Sequence, residues 1–184
     1  MIAELQISIA KSVLALSKHG DGPNSPEHSG GGIPDHIKVS DLPSGEGSFT
    51  ENPSKVPRDG YIDLFHVTSI ESLPSIFSDG RLSNEGQDNF QGYKSGVSGV
   101  YGWTSLGRAV AEIHRASEQL EISRSSFAIF RIRVPVYDGR LAPDEDSGLV
   151  SWKRSYLDGS VALRGGADMD DVVEVYKPRK RKRK

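Results

Sequence analysis

A histidine and a tyrosine in two separate strand-like segments are the residues best suited to chemistry in this chain. His66 stands in the run Leu64–Thr68, and Tyr101 stands in the run Gly99–Ser105. A histidine can donate a hydrogen bond to a polar ligand, and a tyrosine ring can stack on a flat one. A carboxylate from a third strand would stabilise positive charge that develops on a sugar carbon. Together, these residue types favour a site that binds a ligand with a flat polar ring.

Other familiar site patterns are missing from the sequence. The five histidines show no metal-ligand spacing, so no metal site is predicted. Because the chain has no cysteine, disulfides and thiolate metal sites are excluded. The glycine-rich run at 96–99 lacks the lysine and the following helix of a phosphate-binding loop. Neither a dinucleotide fingerprint nor a nucleophile elbow occurs.

The pattern of apolar residues predicts the elements that position this site. Runs of β-branched and aromatic residues predict strands, and apolar residues spaced by three or four predict helices. The predicted elements are a strand at Tyr61–Val67, a helix from near Ser72 to Gly80, a strand at Val100–Trp103, a helix from Ser105 to Leu120, and strands at Phe127–Val136, Ser160–Arg164 and Val172–Tyr176. This order predicts an α+β domain with helices packed on a mainly antiparallel sheet.

Composition divides the chain into four segments. Residues 1–20 have the period of an amphipathic helix, and residues 21–57 are rich in proline, glycine and serine, which predicts a flexible linker. Residues 58–178 carry the predicted elements and form the expected domain. Residues 179–184 are a basic tail.

Charge is distributed unevenly along the chain. The last eight residues hold seven of the 23 lysines and arginines, while the rest of the chain has a net charge of −9. Such a tail is typical of a solubilising end, a nuclear-import signal or an arm that contacts nucleic acid. No apolar run is long enough to span a membrane, and residues 1–20 lack the basic start of a secretory signal. We expect a cytoplasmic protein or one delivered into a target cell, with nuclear entry through the tail as an alternative.

The ordered motifs resemble those of the ADP-ribosyltransferase superfamily, in its diphtheria-toxin and poly(ADP-ribose) polymerase branch. The matching features are Phe65–Thr68, a helix that ends at Gly80, then Gly99–Tyr101 followed by a second helix and a strand. The resemblance covers about residues 61–177. It implies a fold of split antiparallel β-sheets with packed helices, here preceded by an N-terminal helix and a linker. It also implies a His–Tyr–Glu triad carried on three strands.

The resemblance implies a role for each matching residue. His66 would hold the nicotinamide ribose of NAD, and Tyr101 would stack on the nicotinamide ring. The remaining implied contacts with NAD come from Val67, Thr68, Tyr93 and Ser105. The implied reaction breaks the bond between nicotinamide and ribose and transfers ADP-ribose to a protein or a nucleic acid, as a toxin or effector would.

The third member of the triad departs from the family pattern. Ser160 stands where the family has glutamate, and the nearest acid is Asp158, which we predict to be catalytic. Glu145 and Glu174 are the alternative acids. Two other functions remain open: an NAD glycohydrolase that uses water as acceptor, and a nonenzymatic module that binds nucleic acid or protein.

Overall fold

The computed structural model describes residues 32–83, 99–144 and 148–179. The predicted helix at 1–20, Tyr93, Glu145 and residues 180–184 of the tail lie outside the described residues. The helices are α1 (Leu73–Asp79), α2 (Leu106–Leu120) and α3 (Trp152–Asp158). The strands are β1 (Lys38–Asp41), β2 (Tyr61–Ser69), β3 (Arg81–Leu82), β4 (Gly99–Trp103), β5 (Phe127–Pro135), β6 (Leu141–Pro143), β7 (Ser160–Arg164), β8 (Ala167–Asp168) and β9 (Val172–Lys177).

Most of the strands join in one sheet. Among the described residues, seven strands pair in the order β1-β9-β5-β2-β4-β7-β6, and β3 pairs with β8 separately. Every neighbouring pair is antiparallel except β1 and β9, which are parallel. The α+β class and the mainly antiparallel sheet predicted from the order of elements are therefore confirmed.

Two apolar clusters cover the two faces of the sheet. The main cluster joins strand residues such as Leu64, Ile132 and Leu163 to α1 and α3. The second cluster packs α2, through Val110 and Ile113, against the opposite face. Because the side chains of a strand alternate between faces, membership of a cluster tells which way each strand residue points.

Local sequence explains where α1 and α2 begin and end. Pro74 stands in the first turn of α1, where its missing N–H costs nothing, and Gly80 ends that helix with φ +69. Ser105 caps α2, since its Oγ accepts a hydrogen bond from the N–H of Arg108 at 3.1 Å. No helix in the described ranges is long and apolar enough to cross a membrane.

The predicted boundary at residue 58 is wrong for the described part of the linker. Lys38–Asp41 forms β1 in parallel with β9, and Ile37 is buried in the main cluster. The strand escaped prediction because it is four residues long and three of them are exposed, so its sequence carries no alternating pattern. The sheet therefore begins about twenty residues before the predicted domain.

The segment after β1 crosses α2, and we call residues 43–51 the strap. The guanidinium of Arg124 donates to the carbonyls of Pro43, Ser44 and Gly45 at 3.3, 3.1 and 2.6 Å. The strap continues over the first turns of α2, where the N–H of Ser48 donates to the carbonyl of Gly107 at 3.0 Å. This part of the predicted linker is thus tied to the domain by specific contacts.

Two elements near the expected third motif were not predicted. β6 is three residues long and ends in proline, and α3 contains seven residues of mixed polarity. Segments this short carry too few periods to be recognised from sequence. They matter because β6 forms the edge next to β7, and α3 connects these two strands.

Candidate active site

The sheet contains a break between β2 and β4. β2 pairs with β5 along all nine of its residues, but it shares a single registered pair with β4, Phe65 with Trp103. Continued antiparallel register would pair Val67 with Tyr101, yet the ladder stops, although both strands are fully described. The strands therefore diverge beyond Phe65 and leave a gap. Within the one seven-stranded sheet, β1-β9-β5-β2 lie on one side of this gap and β4-β7-β6 on the other.

His66 and Tyr101 meet at the vertex of this gap. Nδ1 of His66 lies 2.8 Å from the carbonyl oxygen of Tyr101. A carbonyl only accepts, so Nδ1 carries the hydrogen and Nε2 carries the lone pair of the neutral ring. Burial lowers the pKa of His66, partly offset by the bond to Tyr101, which raises it. At neutral pH the imidazole is neutral, and its one N–H, at Nδ1, already donates to the Tyr101 carbonyl.

The ring of Tyr101 takes no part in either apolar cluster of the described residues. Val100 belongs to the main cluster, and a Cβ added at Gly102 would lie 2.8 Å from Cβ of Leu64 in that cluster. Alternation therefore directs Tyr101 to the opposite face, which it shares with Trp103. The Tyr101 side chain is half-buried on this face.

The other predicted NAD contacts occupy different positions. Val67 packs against the second cluster, and Thr68 is buried in β2 beside the gap. Ser105 lies beyond the closed end of the gap, where its hydroxyl already caps α2. Tyr93 lies outside the described residues. The structure thus brings Val67 and Thr68 to the gap with His66 and Tyr101, and it leaves Ser105 at a distance.

Asp158 does not face the gap. It is the last residue of α3, and the next residue, Gly159, accepts a hydrogen bond from the N–H of Thr104 at 3.0 Å. This places Asp158 past the Trp103 end of β4, whereas the gap opens toward Gly99. Its charge acts on Arg108, where it raises a pKa that burial lowers more. The prediction that Asp158 supplies the catalytic carboxylate is not supported by this position.

Glu174, the alternative acid on β9, is fully engaged elsewhere. Its carboxylate accepts from Ser40 Oγ at 2.5 Å and from the Tyr176 hydroxyl at 2.9 Å. It also pairs with Lys38 at 2.8 Å and Arg131 at 3.4 Å. Burial raises the pKa of Glu174, but these partners outweigh that effect and lower it to about 2. Glu174 therefore stabilises the attachment of β1 to the sheet through Ser40 and Lys38, and it is not placed to bind a ligand.

Sequence reasoning missed a carboxylate at Asp144. Ser160 Oγ donates to Asp144 Oδ2 at 2.6 Å, and the N–H of Asp144 donates to Ser155 Oγ at 2.9 Å. Ser155 Oγ in turn donates to the carbonyl of Ser160 at 2.7 Å. In the sequence, Asp144 resembles a solvated loop residue. Only the pairing of β6 with β7, which needs the unpredicted strand, places it beside Ser160.

The site can be compared with known proteins and with metal centres. In the described ranges, no group of three or more histidine, aspartate or glutamate side chains is arranged to hold a metal ion. Comparisons of the chain with protein-family models, with curated proteins and with solved structures found no significant match. The functional assignment therefore depends on the geometry of the gap.

Proposed function

We propose that the domain binds NAD at the gap between β2 and β4 and transfers ADP-ribose to a macromolecular acceptor. The observation that carries the proposal is the hydrogen bond from His66 to the Tyr101 carbonyl across a break in the sheet. This break also fits the split antiparallel fold of the ADP-ribosyltransferase family. The sequence motifs at His66 and Tyr101 lie on the two strands that border the gap.

The gap offers groups that suit a nicotinamide ring. Where the ladder stops, the facing edges of β2 and β4 present backbone N–H and C=O groups that can pair with a carboxamide. The ring of Tyr101 provides an aromatic face for stacking. Because Nδ1 of His66 is used by Tyr101, Nε2 is the nitrogen left to accept a hydrogen bond from a ribose hydroxyl.

The proposed reaction follows from these contacts. The bond between the ribose anomeric carbon and the nicotinamide nitrogen breaks, and its electron pair leaves with neutral nicotinamide. The ribose carbon is left as an oxocarbenium-like cation. A lone pair on the acceptor then forms the new bond, and the acceptor loses its proton to the surroundings. Water as acceptor would give free ADP-ribose, so the same site accommodates the glycohydrolase alternative.

The basic tail supports a macromolecular acceptor. The seven cations of the last eight residues would attract phosphates of a nucleic acid or acidic patches of a protein, and this attraction would weaken as the salt concentration rises. The proposal includes delivery of the protein into a target cell as a toxin or effector, and its entry into the nucleus. Labelled NAD offered with protein and with nucleic acid distinguishes the acceptors, and free ADP-ribose identifies hydrolysis.

Release of nicotinamide from NAD tests the proposed site. His66→Asn retains a donor near the position of Nδ1 but removes Nε2, so we expect release to fall about 100-fold or more with little change in melting temperature. His114→Asn is the matched control, since His114 lies on α2 and pairs with Glu118 at 3.5 Å. Wild-type release no faster than in buffer, together with no NAD-induced thermal shift, would contradict the proposal.

Acidity should also slow the reaction through His66. Burial lowers the pKa of this imidazole, so the ring stays neutral down to a pH below its ordinary value of about 6.5. Protonation of Nε2 then removes the acceptor for the ribose hydroxyl. We expect release to stay constant above about pH 6.5 and to fall as the pH drops below it, and a rate that rises with acidity would argue against this role.

A further inference from the structure

We infer that the groove between the strap and α2 is a docking site for residues 180–184 of the chain's own basic tail. This inference does not depend on the proposed reaction, because it concerns another surface of the domain. The strap groove is a cavity of about 290 Å³, lined among others by Glu46, Phe49, Ala111, His114 and Glu118. Sites for small molecules usually have roughly 300–1,000 Å³, so this volume suits the side chains of a peptide segment.

The strap groove presents accessible negative charge on both of its sides. Glu46 on the strap is exposed, and the side chain of Glu118 on α2 is 69% exposed. Nε2 of His114 lies 3.5 Å from Oε1 of Glu118, a contact that leaves most of this carboxylate open. Arg115 also lines the groove, but it is paired with the buried carboxylate of Glu112. A cationic occupant would therefore meet two accessible carboxylates, while the lining arginine is already neutralised by its partner.

The strap groove also offers apolar surface to the stem of a long cationic side chain. Phe49 is 38% exposed, and its ring is held edge-on against Trp103, with the ring centroids 6.0 Å apart. Ala111 adds a methyl group on the side of α2. Lysine and arginine pack their methylene stems along such surfaces and keep the charged group at the polar rim. The groove thus fits lysine and arginine better than a small cation.

The described start of the tail lies beside the start of the strap. The N–H of Leu42 donates to the carbonyl of Lys177 at 2.9 Å, and Arg179 pairs with Asp41 at 3.8 Å. Glu46 comes four residues after Leu42, so their Cα atoms are at most about 14 Å apart. The five residues that follow Arg179 span up to about 18 Å, so the tail can reach the groove.

This tether matters because the ion pairs in the groove are exposed. Each exposed pair contributes little by itself, so a free peptide would bind weakly. A tail attached at the edge of the groove has a high effective concentration there, which favours docking without further contacts. All six residues of the tail are lysine or arginine. The groove and a nucleic acid therefore compete for the same cations, and docking lowers the affinity for nucleic acid.

Disulfide formation between two introduced cysteines tests the docking, because the chain has no cysteine of its own. Gly45→Cys places one thiol beside the groove, where a Cβ meets nothing within 4 Å. Lys182→Cys places the other thiol in the tail. At low protein concentration, we expect the disulfide within one molecule to form several-fold faster than when the same variant also carries Glu46→Gln and Glu118→Gln.

A matched pair of substitutions controls for the loss of charge. Asp59→Asn with Asp79→Asn removes two exposed carboxylates, one on the turn before β2 and one at the end of α1, and should leave the rate unchanged. The rate should fall as salt rises from about 0.1 to about 1 M, since the screening length shortens from about 10 to about 3 Å. Equal rates with and without the groove carboxylates, or a rate independent of salt, would overturn the inference. Disulfides formed mainly between two molecules would overturn it too, in favour of a second copy as occupant.

Affinity for a single-stranded oligonucleotide gives a second readout in the cysteine-free chain. Glu46→Gln with Glu118→Gln frees the tail, so this double variant should bind several-fold tighter than wild type. Asp59→Asn with Asp79→Asn removes the same charge elsewhere and should bind nearly as wild type does. If the two double variants bind equally, the tail is not held in the groove and the inference fails.

Discussion

Replacing Glu174 with glutamine should destabilise the domain strongly without touching the proposed active site. The substitution removes the charge that pairs with Lys38 and Arg131 while keeping a side chain of nearly the same size. Glu174 is only 4% exposed, and Arg131 is 28% exposed, so solvent screens their pair only in part, whereas the pair with Lys38 is more strongly screened because Lys38 is 71% exposed. Removing one partner of a buried ion pair leaves the others uncompensated, which is costly.

The pKa of Glu174 gives the size and the pH dependence of this effect. A drop from the ordinary 4.5 to about 2 corresponds to stabilisation on the order of 3 kcal/mol in the ionised state. Because the folded-state pKa is the lower one, the stabilisation is fully present above about pH 4.5. It is lost as the pH falls toward 2. The difference between Glu174→Gln and wild type should therefore shrink across this range.

Thermal and urea unfolding at several pH values measure this prediction. Near neutral pH we expect the melting temperature of Glu174→Gln to drop by about 5–10 °C. Glu118→Gln is the control, since Glu118 is 69% exposed and exposed pairs contribute little. An unchanged melting temperature, or a deficit that persists at about pH 2, would refute the reasoning. Loss of nicotinamide release in a folded Glu174→Gln would instead indicate a catalytic role.

Two further substitutions test the packing around the gap. Gly102→Ala should lower the free energy of unfolding in urea by about 1–3 kcal/mol, because its Cβ would lie 2.8 Å from Cβ of Leu64. Gly139→Ala is the control and should be neutral, since a Cβ there would meet nothing within 4 Å. Equal stabilities of the two variants would contradict the close contact between Gly102 and Leu64. Arg124→Ala removes the donor to three strap carbonyls, so a glutamate-specific protease should cleave the strap several-fold faster than in wild type or in the exposed-site control Arg154→Ala. Equal cleavage rates would show that the strap does not depend on Arg124.

The long, strongly patterned elements were predictable from sequence, and the short ones were not. The Phe127–Pro135 strand has β-branched or aromatic residues at most positions, and the helix ending at Leu120 has a regular apolar stripe, so each carries several periods of signal. β1 and β6, with four and three residues, are defined by pairing with distant strands. The local sequence of a short strand does not indicate which distant strand it pairs with.

The candidate site was predictable in part for the same reason. His66 and Tyr101 lie on predicted strands, and their residue types alone indicate a role in binding a flat polar ligand. Asp144 depends on a register between two short strands, and Glu174 depends on partners from β1 and β5. A carboxylate can be assigned to catalysis or to stability only when its neighbours are known.

The break between β2 and β4 has a consequence for the thermodynamics of ligand binding. The main apolar cluster includes Ile132 on one side of the break and Leu163 on the other, so the two parts of the sheet share one core. They are not free to swing apart, and the gap is already formed before a ligand arrives. A planar ligand would then bind without an entropic cost of opening the sheet. Calorimetry should accordingly show a heat-capacity change that reflects only the surface covered by the ligand.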